Sequence, residues 1–181
     1  AILSILSGLG LIRAAFGTLS DTLPMLFIVL GAVALLAAVF YSAGKRPYGY
    51  LGAGDLSVFL FFGLAGVAGS YYLFTLSADT AVLYIASAMG LLITAVLNVN
   101  NIRDFDNDRR YGKITFALIL SRLAKSGSTA PAKIYQIVLI SLAMVLSAVY
   151  AITSETGTFL FLVSLPLLVI HLIMVIKREG A

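Results

Sequence analysis

Asp104 and Asp108 stand four positions apart in the most charged stretch of the chain, Asn98-Val-Asn-Asn-Ile-Arg-Asp-Phe-Asp-Asn-Asp-Arg-Arg-Tyr-Gly-Lys113. Residues four apart on a helix share a face, with Cβ atoms about 5–6 Å apart. If the preceding helix continues, both carboxylates therefore project together. Asn101 joins that face, and Asp106 turns away from it. Two carboxylates and an amide form a hard, all-oxygen donor set. Such a set suits Mg²⁺, which keeps several waters and is usually shared with substrate phosphates. Arg103, Arg109 and Lys113 stand where charge-assisted hydrogen bonds to the same phosphates are available. Charges at a helix end also serve as headgroup anchors. Anchoring accounts for the basic residues, but it does not call for carboxylates and asparagines together.

Composition excludes most other chemistry. The chain has no cysteine, so disulfide scaffolds, thiolate metal sites and cysteine nucleophiles are ruled out. One histidine, His171, cannot build a multi-histidine metal site, and as a lone residue in an apolar run it reads as hydrogen-bonded packing. Hydrophobic residues make up 61% of the chain, charged residues 11%, and the mean hydropathy is +1.05. These values describe an integral membrane protein rather than a soluble domain. The net charge of +4 then points to loops facing anionic lipid, not to nucleic acid.

The elements that position the acidic segment follow from where charges are missing. Charge-free runs cover 22–44, 56–78, 80–102, 134–154 and 156–176. Each is long enough to cross the hydrocarbon core as a helix, which takes about 20 residues. A sixth apolar stretch, 1–20, is interrupted by Arg13. Lys and Arg then fall on alternate loops: Lys45 and Arg46, the segment from Arg103 to Lys113, the stretch from Arg122 to Lys133, and Lys177 with Arg178. The intervening turns around Asp21, Asp79 and Glu155 carry none. By the positive-inside rule the basic loops are cytoplasmic. The stretch 114–132 is too short to span and should lie at the interface, with Leu118, Ile119, Leu120 and Leu123 inward. Gly63, Gly66 and Gly69 form a small-residue stripe for helix packing. Pro166 should kink the last span, and Asp55 should cap a helix beginning at Leu56.

The acidic segment resembles the second aspartate-rich motif of the UbiA superfamily of membrane prenyltransferases. In the menaquinone branch that motif reads N-N-x-R-D-x-x-x-D-x-x-x-G-K-x-T. Asn100, Asn101, Arg103, Asp104, Asp108, Gly112, Lys113 and Thr115 match it. A second stretch, Tyr41-Ser-Ala-Gly-Lys-Arg-Pro-Tyr-Gly-Tyr-Leu-Gly-Ala-Gly-Asp55 followed by Val58-Phe-Leu-Phe-Phe-Gly63, is similar to the loop between the fourth and fifth helices of that branch. The superfamily's first acidic motif, of the N-D-x-x-D-x-x-x-D kind, has no counterpart here.

The resemblance implies an all-α, multi-pass transmembrane helical bundle, with about six spans present of a family fold of eight or nine. It implies one transmembrane prenyltransferase domain over residues 1–181, lacking its N-terminal part, in a bacterial cytoplasmic membrane. Mg²⁺ held by Asp104 and Asp108 would bind the diphosphate of a polyprenyl diphosphate and promote its departure. The ring of 1,4-dihydroxy-2-naphthoate would then attack and lose its carboxylate, giving demethylmenaquinone. The implied catalytic residues are Asp104, Asp108 and Lys113, and the implied substrate-binding residues are Asn101, Arg103, Lys45, Arg46, Tyr41 and Tyr48. Tyr41, Tyr48 and Tyr50 offer ring faces to a carbocation, although tyrosines also anchor helices at interfaces. The alternatives are another aromatic prenyltransferase, of the 4-hydroxybenzoate type, or a membrane fragment that is inactive alone. A secondary transporter would place ionisable residues at mid-span, and the five long runs have none.

Overall fold

The computed structural model describes residues 2–44, 47–154 and 159–177. Helices account for every regular element among them: α1 (Ile2–Phe16), α2 (Thr22–Ser42), α3 (Gly54–Val58), a π-helical segment (Phe59–Ala68), α4 (Gly69–Thr75) and α5 (Ala81–Arg103). They continue with α6 (Phe105–Arg110), α7 (Phe116–Leu123), α8 (Ala130–Thr153) and α9 (Leu165–Lys177), the last preceded by a 3₁₀ turn, Leu160–Ser164. Among the described residues, five stretches are long and apolar enough to cross a membrane: α2, the composite span Gly54–Thr75, α5, α8 and Leu160–Lys177. Helix α1 is apolar but shorter. Each charge-free run is thus helical over most of its described residues, as lipid requires, since a spanning backbone must satisfy its own hydrogen bonds.

The spans begin and end where polar groups can serve their open backbone positions. Asp79 Oδ1 accepts the Ala81 N–H at 2.8 Å at the start of α5. Thr115 caps α7, its hydroxyl accepting the Leu118 N–H at 3.4 Å. Pro131 lies in the first turn of α8, where a missing N–H leaves no bond unmade. Arg13 donates to the Gly17 carbonyl and so closes α1. Pro166 does not kink a continuous span. It is the second residue of α9, after the 3₁₀ turn, so the helix restarts at the proline instead of bending around it.

Helix α5 is the centre of the bundle, packing most extensively on α8 and on the π segment. Small residues make this close packing possible: Ala86, Ala88 and Ala143 are fully buried. A Cβ on Gly63 would fall 2.5 Å from the Gly90 Cα, so the π segment and α5 meet backbone to backbone there. Of the stripe read from the sequence, Gly63 carries this contact; a Cβ on Gly66 would meet only the Phe61 carbonyl, at 3.1 Å, and one on Gly69 only the Phe27 ring, at 3.8 Å.

A polar chain crosses the apolar interior. Asn98 Nδ2 donates to Gln136 Oε1 at 2.8 Å and to the Ala132 carbonyl at 2.9 Å. Gln136 Nε2 in turn lies 3.1 Å from His171 Nε2. Asn98 and Gln136 are fully buried. The chain joins α5, α8 and α9 by directional bonds in a region where apolar contact alone discriminates poorly. His171 therefore packs and hydrogen-bonds, as its isolation in the sequence suggested. The interfacial helix α7 buries Ala117, Leu118 and Ser121, with Ile119 and Leu120 half-buried. Leu123 points out, 76% exposed, contrary to the inward position expected for it, because it lies on the side of the helix away from the buried Ser121 two residues before it.

Candidate active site

The two stretches singled out in the sequence dock onto each other. The Ile114 N–H donates to the Tyr50 carbonyl at 3.0 Å, and Leu51 pairs with Ile114 in a parallel bridge. Gly112, with φ of +71°, supplies the left-handed turn that brings the chain back from α6 to this contact. Lys113 Nζ then stands 5.8 Å from the centre of the Tyr50 ring, within cation–π range.

The acidic pair is carried by a broken helix, not a continuing one. Helix α5 ends at Arg103, and Asp104 (φ −97°, ψ 12°) is the joint before α6. The break lets Phe105 drop into the cluster of Ile102, Ala117, Leu118, Ala132 and Val175, where it is 3% exposed. The one-turn spacing survives, because the Asp108 N–H still donates to the Asp104 carbonyl at 2.8 Å. Asp106 is exposed, as its position between the pair required.

Asp104 and Asp108 sit in different surroundings. Asp104 is partly exposed and accepts a bidentate pair from Arg103, Nε to Oδ1 and Nη2 to Oδ2, both at 2.8 Å. Asp108 is buried, and Lys113 Nζ lies 3.1 Å from each of its oxygens. The exposed Arg103 pair adds little stability. The shielded Lys113 pair fixes a cation at the mouth of the site. Asn101, 5% exposed, lines a cavity of about 30 Å³ together with Lys113, Tyr41, Asp55 and Thr115.

Tyr41 and Tyr48 meet edge to face, with ring centres 5.4 Å apart. Both line a second cavity, about 420 Å³, whose other walls include Ala34, Ala38, Phe61 and Phe62. Tyr41 thus borders both the charged mouth and this apolar cavity. Lys45 and Arg46 lie outside the described residues.

Among the described residues, no group of three or more His, Cys, Asp or Glu side chains converges. Asp104, Asp108 and Asn101 supply hard oxygen donors only, of the chemistry that suits Mg²⁺ but too few to complete its octahedron. The remaining positions would fall to water, substrate phosphate or further protein oxygens. The donor chemistry is of the kind Mg²⁺ takes.

Sequence reasoning read Asp55 as a helix cap, and the structure overturns that. Helix α3 starts at Gly54 with Ala53 at its N-cap and no side-chain cap bond, so Asp55 lies inside the first turn. Asp55 is 7% exposed and borders a third cavity, about 480 Å³, with Thr94 on α5 and Tyr135 on α8. Thr94 and Tyr135 were not singled out in the sequence. The period of three and four in their helices was the available signal, and it is the same for any inward residue.

The chain has relatives of known name. The family described as UbiA prenyltransferase family matches residues 1–179. The chain is 42% identical over 174 residues to the 1,4-dihydroxy-2-naphthoate octaprenyltransferase of Haemophilus influenzae, a match covering 95% of this chain and 54% of that protein. It is 41% identical over 170 residues to the Escherichia coli protein of the same name, covering 93% of this chain and 52% of that one. A Mycobacterium tuberculosis protein, also so named, is 40% identical over 116 residues, 62% of this chain and 40% of its own length. The chain spans about half the length of the first two relatives. No solved structure matches it. With the acidic segment, the docked tyrosine loop and the helical bundle in place, the chain belongs to the UbiA prenyltransferase family.

Proposed function

We propose that this chain forms the second acidic half of a membrane prenyltransferase that joins a polyprenyl diphosphate to 1,4-dihydroxy-2-naphthoate. The observation that carries the reading is the docking of the Tyr50 loop on the acidic segment. It gathers Asp108, Lys113, Asn101 and Tyr41 at one end of α5, beside an apolar cavity of about 420 Å³. The mouth matches a diphosphate and the cavity matches an isoprenoid chain. The names of the bacterial relatives favour the naphthoate acceptor.

Enzymes of this family generally use a divalent metal. Asp104, Asp108 and Asn101 would hold Mg²⁺, which when bound supplies Lewis-acid neutralisation of the diphosphate. Lys113 donates hydrogen bonds to the diphosphate oxygens, with Lys45, Arg46 and Arg103 as further cationic contacts. As the carbon–oxygen bond lengthens, positive charge develops on the allylic carbon, and the ring faces of Tyr41 and Tyr48 stabilise it. The apolar walls exclude water from that carbon. Attack by the acceptor ring and loss of its carboxylate complete the transfer. The basic loops favour a mouth on the cytoplasmic side of a bacterial inner membrane. With only this part of the metal shell present, the 181-residue chain alone is expected to insert and bind diphosphate weakly without turnover.

The test is a competition assay on the complete gene product in proteoliposomes, with Mg²⁺, a polyprenyl diphosphate and equal amounts of 1,4-dihydroxy-2-naphthoate and 4-hydroxybenzoate. Mass spectrometry should find the decarboxylated naphthoquinol product. Prenylated 4-hydroxybenzoate alone would move the chain to the other branch, and no product from either would refute prenyl transfer.

A further inference from the structure

The diphosphate chemistry leaves one buried carboxylate unused. Asp55 Oδ2 is sealed from solvent and has no hydrogen-bond partner among the described residues. An unsatisfied buried carboxylate oxygen is costly, so a donor absent from the free protein is its expected partner. The surrounding groups narrow down that donor. Thr94 Oγ1 is already engaged with the Gly90 carbonyl at 2.8 Å. The Tyr135 hydroxyl faces the Asp55 carboxyl from α8. The rest of the 480 Å³ cavity is apolar, with Leu56, Phe59, Leu91, Phe116 and Leu139 among its walls, and among the described residues neither lysine nor arginine lines it. Cavities of this size and character hold small aromatic ligands. The acceptor's own carboxylate would meet Asp55 here and, among the described residues, no cation, so it has to point out of the slot. A ring hydroxyl would meet the carboxyl whose Oδ2 lacks a partner among the described residues.

Asp55 also borders the 30 Å³ cavity that Lys113, Asn101 and Tyr41 share, so the carboxylate separates the charged mouth from the aromatic slot. We propose that Asp55, held by Tyr135, is a positioning and specificity residue that accepts a hydrogen bond from a ring hydroxyl of the aromatic acceptor and so turns the ring toward the diphosphate end. The proposal rests on the prenyltransferase reading above. It assigns the slot between α3, α5, α7 and α8 to the acceptor and leaves the cavity beside α2 to the prenyl chain. A site built to receive a hydroxyl rejects an analogue that lacks it, because its polar group is then left unpaired.

The experiment measures steady-state kinetics of the complete gene product with 1,4-dihydroxy-2-naphthoate and with each of its mono-O-methyl ethers. Wild type should prefer the parent acceptor over one ether by about ten-fold or more. Asp55→Asn should raise the acceptor KM about ten-fold or more, leave the prenyl diphosphate KM nearly unchanged, and erase the preference over that ether. Tyr135→Phe, which keeps the ring, should reduce the same preference in part, and it decides the matter if Asp55→Asn does not fold. Wild-type activity with the preference unchanged in the folded variants overturns the assignment of Asp55 alone. No wild-type turnover of the parent acceptor overturns the functional reading and this proposal together.

Discussion

Lys113 Nζ lies 3.1 Å from both carboxylate oxygens of Asp108. The two residues bracket the turn at Gly112, and the Lys113 N–H also donates to the Asp108 carbonyl at 2.9 Å. Backbone and side chain thus hold the cation where the Tyr50 loop arrives. Lysine rather than arginine suits this position, since a compact ammonium can address a carboxylate, a ring face and a phosphate from one point.

Replacing Lys113 with methionine keeps most of the stem and removes the charge. The expected result is a rise of about 10–100-fold in the prenyl diphosphate KM, the range of a charge-assisted hydrogen bond, with the acceptor KM much less affected. Steady-state kinetics of the complete gene product check it. A loss confined to the acceptor KM would place Lys113 at the other substrate.

The orientation of the bundle is open to labelling, because the chain contains no cysteine. Lys125→Cys and Ala78→Cys both fall in exposed loops, at opposite ends of the spans they flank. In intact cells an impermeant thiol reagent should label position 78 and spare position 125 until the membrane is opened. The reverse pattern would invert the topology.

The buried chain from Asn98 through Gln136 to His171 is expected to carry stability, not catalysis. Gln136→Leu removes one bond to Asn98, which stays fully buried, and one to the half-buried His171. A loss of about 1–3 kcal/mol is expected, seen as a lower unfolding temperature in detergent with the KM values retained. Unchanged stability would show that these groups find other partners.

The spans were legible because charge cannot enter hydrocarbon cheaply, so the gaps between Asp21, Lys45, Asp55, Asp79 and Arg103 trace the helices directly. The acidic segment was legible from residue type and spacing. The break at Asp104 was not, because it arises from Phe105 seeking a pocket made by α7, α8 and α9, a tertiary effect with no local signal. The π-helical turn at Phe59–Ala68 was hidden for a related reason: its apolar residues read alike at any helical period. Asp55 was misread because an acid at the head of a span looks the same whether it caps the helix or turns into the bundle. Only the placement of Tyr135 and Thr94 distinguishes the two.

The chemistry assigned to the acidic segment is tested most directly by three substitutions compared in one assay. Asp108 is buried beside Lys113, Asp104 sits at the joint above Arg103, and Asp106 faces outward. Prenyl-transfer rates of Asp104→Asn, Asp108→Asn and Asp106→Asn should be measured in the complete gene product, each at matched membrane content. The account predicts losses of about 100-fold or more for Asp104 and Asp108, as expected for removal of a metal-held charge clamp, and less than about three-fold for the exposed Asp106, as expected for a side chain outside the site. Equal losses from all three, or full activity in Asp108→Asn, would contradict it.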